Sequence, residues 1–211
     1  LVVNDKQIWV FAGPNGSGKS TIIENYIRMG QCSENLICPD NLVRLEDRNN
    51  KDAYINAARK AEKRRFYEVA KGNSFSFETV LSKREKLDFI CYAKSKGYFV
   101  HVIYVSTGDS KINIERVKMR VIQGGHDVPI DKIVSRYNRC MRLMLEVIHE
   151  AHHAVIYDNS GSQPDFIAEK INDVCYIKKN SPKWFERYIK NSIAEKKLIY
   201  DKKELFPIVY F

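Results

Sequence analysis

The chain has 211 residues, 44% hydrophobic and 11% aromatic, which suits one packed domain with at most a small appendage. No apolar run approaches the ~20 residues of a membrane helix, and Leu1–Gln7 lacks the basic stretch and apolar core of a secretory leader, so neither a membrane span nor a leader is expected. The net charge of +9 points to phosphate-bearing partners without choosing among nucleotides, nucleic acid and anionic lipid.

In chain order, Gln7–Ala12 reads as a buried strand, Gly13–Gly18 as a turn-rich loop, and Lys19–Met29 as a helix stopped by Gly30. Leu36–Cys38 is a short apolar stretch closed by Pro39. Lys51–Lys71 has a long helical pattern with Gly72 as its cap. Ser74–Phe77 reads as a strand, Lys83–Lys96 as a helix, and Tyr98–Val105 as the strongest strand of all. Ile112–Gln123 and Ile130–Glu150 are helical, with a loop over Gly124–Pro129 between them. Ala154–Tyr157 is expected to be the last core strand, and a helix around Trp184–Ile193 precedes a basic, aromatic tail. Strands alternating with helices predict an α/β fold, a parallel sheet with helices on both faces. Residues 1–177 form the main domain and residues 178–211 an extension packed on it. Ligands in such sheets sit beyond the carboxyl ends of the strands.

The five cysteines, Cys32, Cys38, Cys91, Cys140 and Cys175, are odd in number and lack a Cys-x-x-Cys pair. That argues against a disulfide framework or zinc ribbon and for a reducing, cytoplasmic setting. The basic run Arg59–Arg65 is read as a solvated helix face or a cover over an anionic substrate, with nucleic-acid docking the lesser alternative.

Gly13, Pro14, Asn15, Gly16, Ser17, Gly18, Lys19 and Ser20, followed by Thr21, fit G-x-x-x-x-G-K-[ST] at every fixed position. Glycines let successive backbone N–H groups turn toward phosphate oxygens, and the helix that follows adds its positive end. Lys19 can bridge the β- and γ-phosphates of ATP, and the Ser20 hydroxyl can ligate Mg²⁺. The strand before the loop and the helix after it are the context this chemistry requires.

Two acidic residues stand at expected strand ends: Asp40 in CPDN, and Glu78, followed by Thr79, in FSFET. One can act as base toward an acceptor hydroxyl and the other can hold Mg²⁺ or substrate, with Asp40 also a metal candidate. A turn or cap role is the alternative for Asp40. Arg116 and Arg120 lie four apart on one helix face, which suits a phosphate clamp, and the GGHDVP loop after them suits a mobile lid. Asp158 ends an apolar run and rivals the other carboxylates for Mg²⁺. Asn159, Ser160 and Gly161 after it fit either a turn or a contact at the nucleotide's edge. His149, Glu150 and His153 satisfy H-E-x-x-H, with Glu169 a conceivable third zinc ligand. The expected strand at Ala154 ends the helix too early for both histidines to share it, so zinc hydrolysis is the weakest reading.

GPNGSGKST, CPD, FSFETVLS, ERVKMRV with QGGHDVP and SRY, and YDNSG occur in an order that resembles the zeta toxin family, over Ile8 to Ile167. The resemblance implies a P-loop kinase that phosphorylates the sugar of UDP-N-acetylglucosamine and is blocked by a small antitoxin protein. It implies Lys19 as the phosphate-binding lysine, Ser20 as the Mg²⁺ hydroxyl, Asp40 as base toward the sugar hydroxyl, Glu78 on the substrate-side strand and Arg116 as the first lid arginine. The second lid arginine has two candidates, Arg120 and Arg136. The GGHDVP loop belongs to the short branch of the family, so the acceptor rests on relatives. The competing reading is an ATPase switch or nucleic-acid module with no small-molecule acceptor.

Overall fold

The computed structural model describes residues 5–43, 50–190 and 199–201. Its framework is a sheet with β1 (Gln7–Ala12) at the centre, flanked by β3 (Phe75–Thr79) on one side and β4 (Phe99–Ser106) on the other, both parallel to it. β2 (Leu36–Ile37) pairs outside β3, and β5 (His153–Asp158) outside β4, again in parallel. The helices between these strands are α1 (Lys19–Arg28), α2 (Lys51–Lys71), α3 (Glu85–Ser95), α4 (Ser110–Ile122) and α5 (Ile130–Glu150).

The alternation of β1 explains the layering. Ile8, Val10 and Ala12 face a large core with Phe75, Phe77, Val100 and Val102, covered by residues of α2, α3 and α5. Phe11 faces the other way, joining Ile103, Val105 and the α1 residues Ile22 and Ile23. Helices therefore lie on both faces, as the alternating pattern predicted.

β5 is not the last strand. β6 (Asp165–Ile171) and β7 (Val174–Ile177) add antiparallel neighbours beyond it, and β8 (Ile199–Asp201) pairs with β7 in parallel, giving the order β2-β3-β1-β4-β5-β6-β7-β8. The sheet is thus mixed at one edge. The residues of β6, DFIAEKI, are exposed at both ends, which weakens the apolar signal on which a strand assignment rests. The positive φ of Asn172, 53°, closes the β6–β7 hairpin, a conformation that Asn tolerates better than most residues.

Beyond β7, α6 (Lys183–Phe185) runs into a π-helical turn, Glu186–Lys190. Trp184 and Phe185 pack into the main core with α5. The expected end of this helix at Ile193 and the tail at 202–211 lie outside the described residues. Among the described residues no helix is long and apolar enough to cross a membrane.

The basic run on α2 does not form one exposed face. Arg65 is only 2% exposed, its guanidinium lying 5.3 Å from the ring centres of both Phe77 and Phe89. Arg64 is occupied by Asn35 at 2.7 Å and by Glu68 at 3.6 Å.

Candidate functional site

The loop between β1 and α1 is held by close approaches that glycine permits. A Cβ on Gly13 would stand 2.0 Å from the backbone oxygen of Val105 in β4, and one on Gly18 would stand 2.1 Å from Asn159 Nδ2. Both have positive φ, 149° and 91°. Side chains from three later segments then brace the loop. Asn159 Nδ2, just past β5, donates to Ser17 O at 2.8 Å, and Asn113 Nδ2 of α4 donates to Asn15 O at 2.6 Å. Arg136 of α5 donates to Asn15 Oδ1 at 3.3 Å. Thr107 Oγ1 donates to Asn113 Oδ1, and its own carbonyl accepts from the Tyr137 hydroxyl at 2.7 Å.

Lys19 is 4% exposed and folds back on its own loop. Its ammonium donates to the carbonyls of Gly13 and Pro14, each at 2.9 Å, and lies 3.5 Å from Glu78 Oε1. Ser20 and Thr21 open to solvent at the start of α1. The buried Cys38 thiol donates to Glu78 Oε2 at 3.3 Å, and burial together with the Glu78 and Asp40 charges pushes its pKa up to about 12, so it remains a neutral donor. Thr79 is buried. Its carbonyl accepts from Gly13 N at 3.2 Å and its hydroxyl accepts from Leu81 N at 3.0 Å.

Asp40 sits on a short 3-10 turn, Pro39–Leu42, directly after β2. It opens to solvent on one side, yet protein atoms crowd its carboxylate on the others. That desolvation, reinforced by the neighbouring Glu78 charge, raises its pKa above the usual carboxylate range, while Arg120, His126 and Lys19 pull the other way. Lys19, Asp40, Glu78 and Arg120 are thus brought into one electrostatic cluster at the carboxyl ends of β1, β2 and β3.

The α4 arginines have separate partners. Arg116 Nη2 donates to Gly161 O, past β5, at 2.9 Å, and Arg120 Nη2 donates to His126 O at 2.8 Å. Asp158, the rival carboxylate, is engaged locally: its Oδ1 accepts from Ser160 Oγ at 2.5 Å and from Ser160 N at 3.1 Å. The H-E-x-x-H residues are divided between elements. Glu150 ends α5, whereas His153 is the first residue of β5 and lies 2.9 Å from Glu169 and 3.1 Å from His101. No group of three or more His, Cys, Asp or Glu among the described residues is arranged to hold a metal ion.

Asn113, Thr107 and Tyr54 belong to the site's surroundings without having stood out in the sequence, and His126 stood out only as part of the GGHDVP loop. Asn113 and Thr107 act here through their full burial, a tertiary property that neighbouring residues in the sequence do not signal.

Comparison with known proteins accords with this geometry. An uncharacterized protein of Haemophilus influenzae is 29% identical over 141 residues, 63% of this chain and 98% of that protein. A chain of the AvrRxo1-ORF1:AvrRxo1-ORF2 complex crystallised with ATP superposes with a TM-score of 0.63 at 14% identity, covering 80% of this chain. This chain spans 59% of that one's length. A chain of the PezAT chromosomal toxin-antitoxin system of Streptococcus pneumoniae superposes with a TM-score of 0.56 at 17% identity, over 92% of this chain and 83% of that one. At such identities the likeness is one of fold, that of P-loop kinases. The sequence model of the zeta toxin family matches residues 4–171, from ahead of β1 to the end of β6 and across every residue of the cluster above, and the chain belongs to that family.

Proposed function

We propose that this protein is an ATP-dependent phosphotransferase that passes the γ-phosphoryl group to a hydroxyl of a sugar nucleotide, UDP-N-acetylglucosamine being the leading acceptor, and that it is the toxin of a toxin–antitoxin pair in the cytoplasm. The observation that carries the reading is the convergence of Lys19, Asp40, Glu78 and Arg120 beside a phosphate-binding loop. A nucleotide switch would turn the same carboxylate on water, so the dependence of turnover on an acceptor separates the two readings.

In this reading Gly13–Ser20 and Thr21 cradle the phosphates, and the Lys19 ammonium exchanges the Gly13 and Pro14 carbonyls for phosphate oxygens. Asp40 takes the proton of the acceptor hydroxyl, its raised pKa making it a stronger base than an ordinary carboxylate. Glu78 and Thr79 line the acceptor side. Arg116 and Arg120 offset the negative charge that builds on the moving group, and Arg136 acts on the loop through Asn15. The oxygen donors at hand, the Ser20 hydroxyl with whichever of Asp40 and Glu78 is not the base, suit Mg²⁺, which favours hard oxygen ligands shared with substrate phosphates. A Mg²⁺ ion held by these residues would supply positive charge that offsets the charge of the phosphates.

The test is mass spectrometry of UDP-N-acetylglucosamine incubated with the protein, ATP and Mg²⁺. A species heavier by one phosphate is expected, and both Lys19→Ala and Asp40→Ala should abolish it while circular dichroism stays unchanged. Equal ATP consumption with and without any acceptor, in a metabolite extract as well, would replace this reading by the ATPase one. Full transfer by Asp40→Ala would remove Asp40 as the base.

A further inference from the structure

The loop 124–129 joins α4 to α5 and is anchored on both sides of His126. After it, Val128 is buried with Val117 of α4 and Ile133 of α5. Before it, Gly125 lies on the Arg120 side chain, where a Cβ would stand 2.5 Å from Arg120 Cγ, and Gly125 N donates to Arg120 O at 2.9 Å. The His126 ring itself reaches across to α2 and stacks on Tyr54, with ring centres 3.7 Å apart and planes 23° from parallel. The carbonyl of the same residue accepts from Arg120 Nη2 at 2.8 Å. Arg120 Nε is buried and has no hydrogen-bond partner among the described residues, so the His126 carbonyl has a large part in orienting this guanidinium. The charged groups around the ring are Asp40 of the turn after β2, Arg120 of α4, Asp127 of the loop and Arg136 of α5.

We propose that the Tyr54–His126 stack is a latch that positions Arg120. It seats the loop against α2, thereby fixing the His126 carbonyl and with it the guanidinium beside Asp40. Tyr54 is then a positioning residue contributed by an element that carries no part of the phosphate-binding loop. Its catalytic consequence rests on the phosphotransferase reading; the latch itself does not. A face-to-face ring contact of this kind shifts a loop's open–closed balance by about tenfold.

Two measurements on the full chain test it, using Tyr54→Ala, Tyr54→Phe and His126→Phe. In hydrogen exchange, amides 124–128 should exchange about tenfold faster in Tyr54→Ala and near the wild-type rate in the two variants that keep a ring pair. In turnover with ATP and UDP-N-acetylglucosamine as probe acceptor, kcat should fall about tenfold in Tyr54→Ala with KM for ATP within about twofold, and both Phe variants should keep kcat within about twofold of the wild type. General loosening of the fold would raise KM for ATP as well and would speed exchange outside 124–128 to a similar degree. Wild-type exchange in Tyr54→Ala overturns the latch. So does a Tyr54→Phe variant as impaired as Tyr54→Ala, which would make the hydroxyl the active part. If the wild type transfers nothing to this probe, UDP-N-acetylglucosamine is not its acceptor, and the exchange measurement alone decides the latch. Should Tyr54→Ala be unfolded by circular dichroism, His126→Ala replaces it in both measurements.

Discussion

Gly13 and Gly18 both have a neighbour where a side chain would go, but the neighbours differ in what they can yield. Gly13 faces a backbone oxygen of β4, fixed by the sheet, whereas Gly18 faces the end of the Asn159 side chain, which can swing away. Gly13→Ala is therefore expected to lower stability by about 2 kcal/mol or more and to abolish ATP binding. Gly18→Ala should cost less stability and weaken binding only in part. Thermal melts and calorimetric titration with ATP check both. The environment of Asp40 makes a second prediction. Glu78 raises its pKa and Arg120 lowers it, so the acid limb of the pH–rate profile should move to lower pH in Glu78→Gln and to higher pH in Arg120→Ala. Shifts in the opposite sense would mean that another group controls that limb. The loop was legible at this scale because its spacing is local. The pull of Arg120 on Asp40 was not, because it joins α4 to the turn after β2.

At the scale of elements, α2 illustrates both what local signals carry and what they miss. Asn50 caps its start by accepting from Asp52 N at 2.9 Å, and Gly72 closes it with a φ of 75°, so both ends agree with the sequence reading. Its basic run, by contrast, looked like one solvated face and is not. Arg65 turns inward over Phe77 and Phe89, its Nε lacks a hydrogen-bond partner among the described residues, and Glu62 reaches its Nη2 only at 4.0 Å. Burying that cation costs desolvation that one distant carboxylate only partly offsets. Arg65→Met should accordingly leave stability unchanged or raise it by about 1 kcal/mol, measured as a denaturation midpoint in urea. A clear loss would show that the guanidinium's contacts with the two rings outweigh its burial. α5 shows the reverse case. Ala151 takes extended backbone angles (φ −70°, ψ 142°), so the helix stops before His153 and the zinc pattern is split.

At the scale of the whole molecule, the sheet places His101 of β4 beside His153 of β5, with His101 Nε2 on Gln7 Oε1 at 3.0 Å and Glu169 of β6 closing the chain of contacts. Burial, and then the neighbouring His153 and His152, lower the His101 pKa from 6.5 to about 4. The folded state therefore favours the neutral ring, so the stability linked to it is complete above pH 6.5 and is lost as pH falls through about 4. Between those values the melting temperature should fall in the wild type and fall less steeply in His101→Gln. An unchanged slope would mean that other groups govern acid unfolding. The phosphate-binding loop, the ends of α2 and the alternation of strands with helices were all legible locally, because each depends on residues within a few positions of one another. The continuation of the sheet through β6 and β7, the bracing of the loop by Asn113, Asn159 and Arg136, and the meeting of His126 with Tyr54 came from the packed chain. These depend on which distant segments the packed strands bring together, and single-chain periodicity carries no record of that pairing.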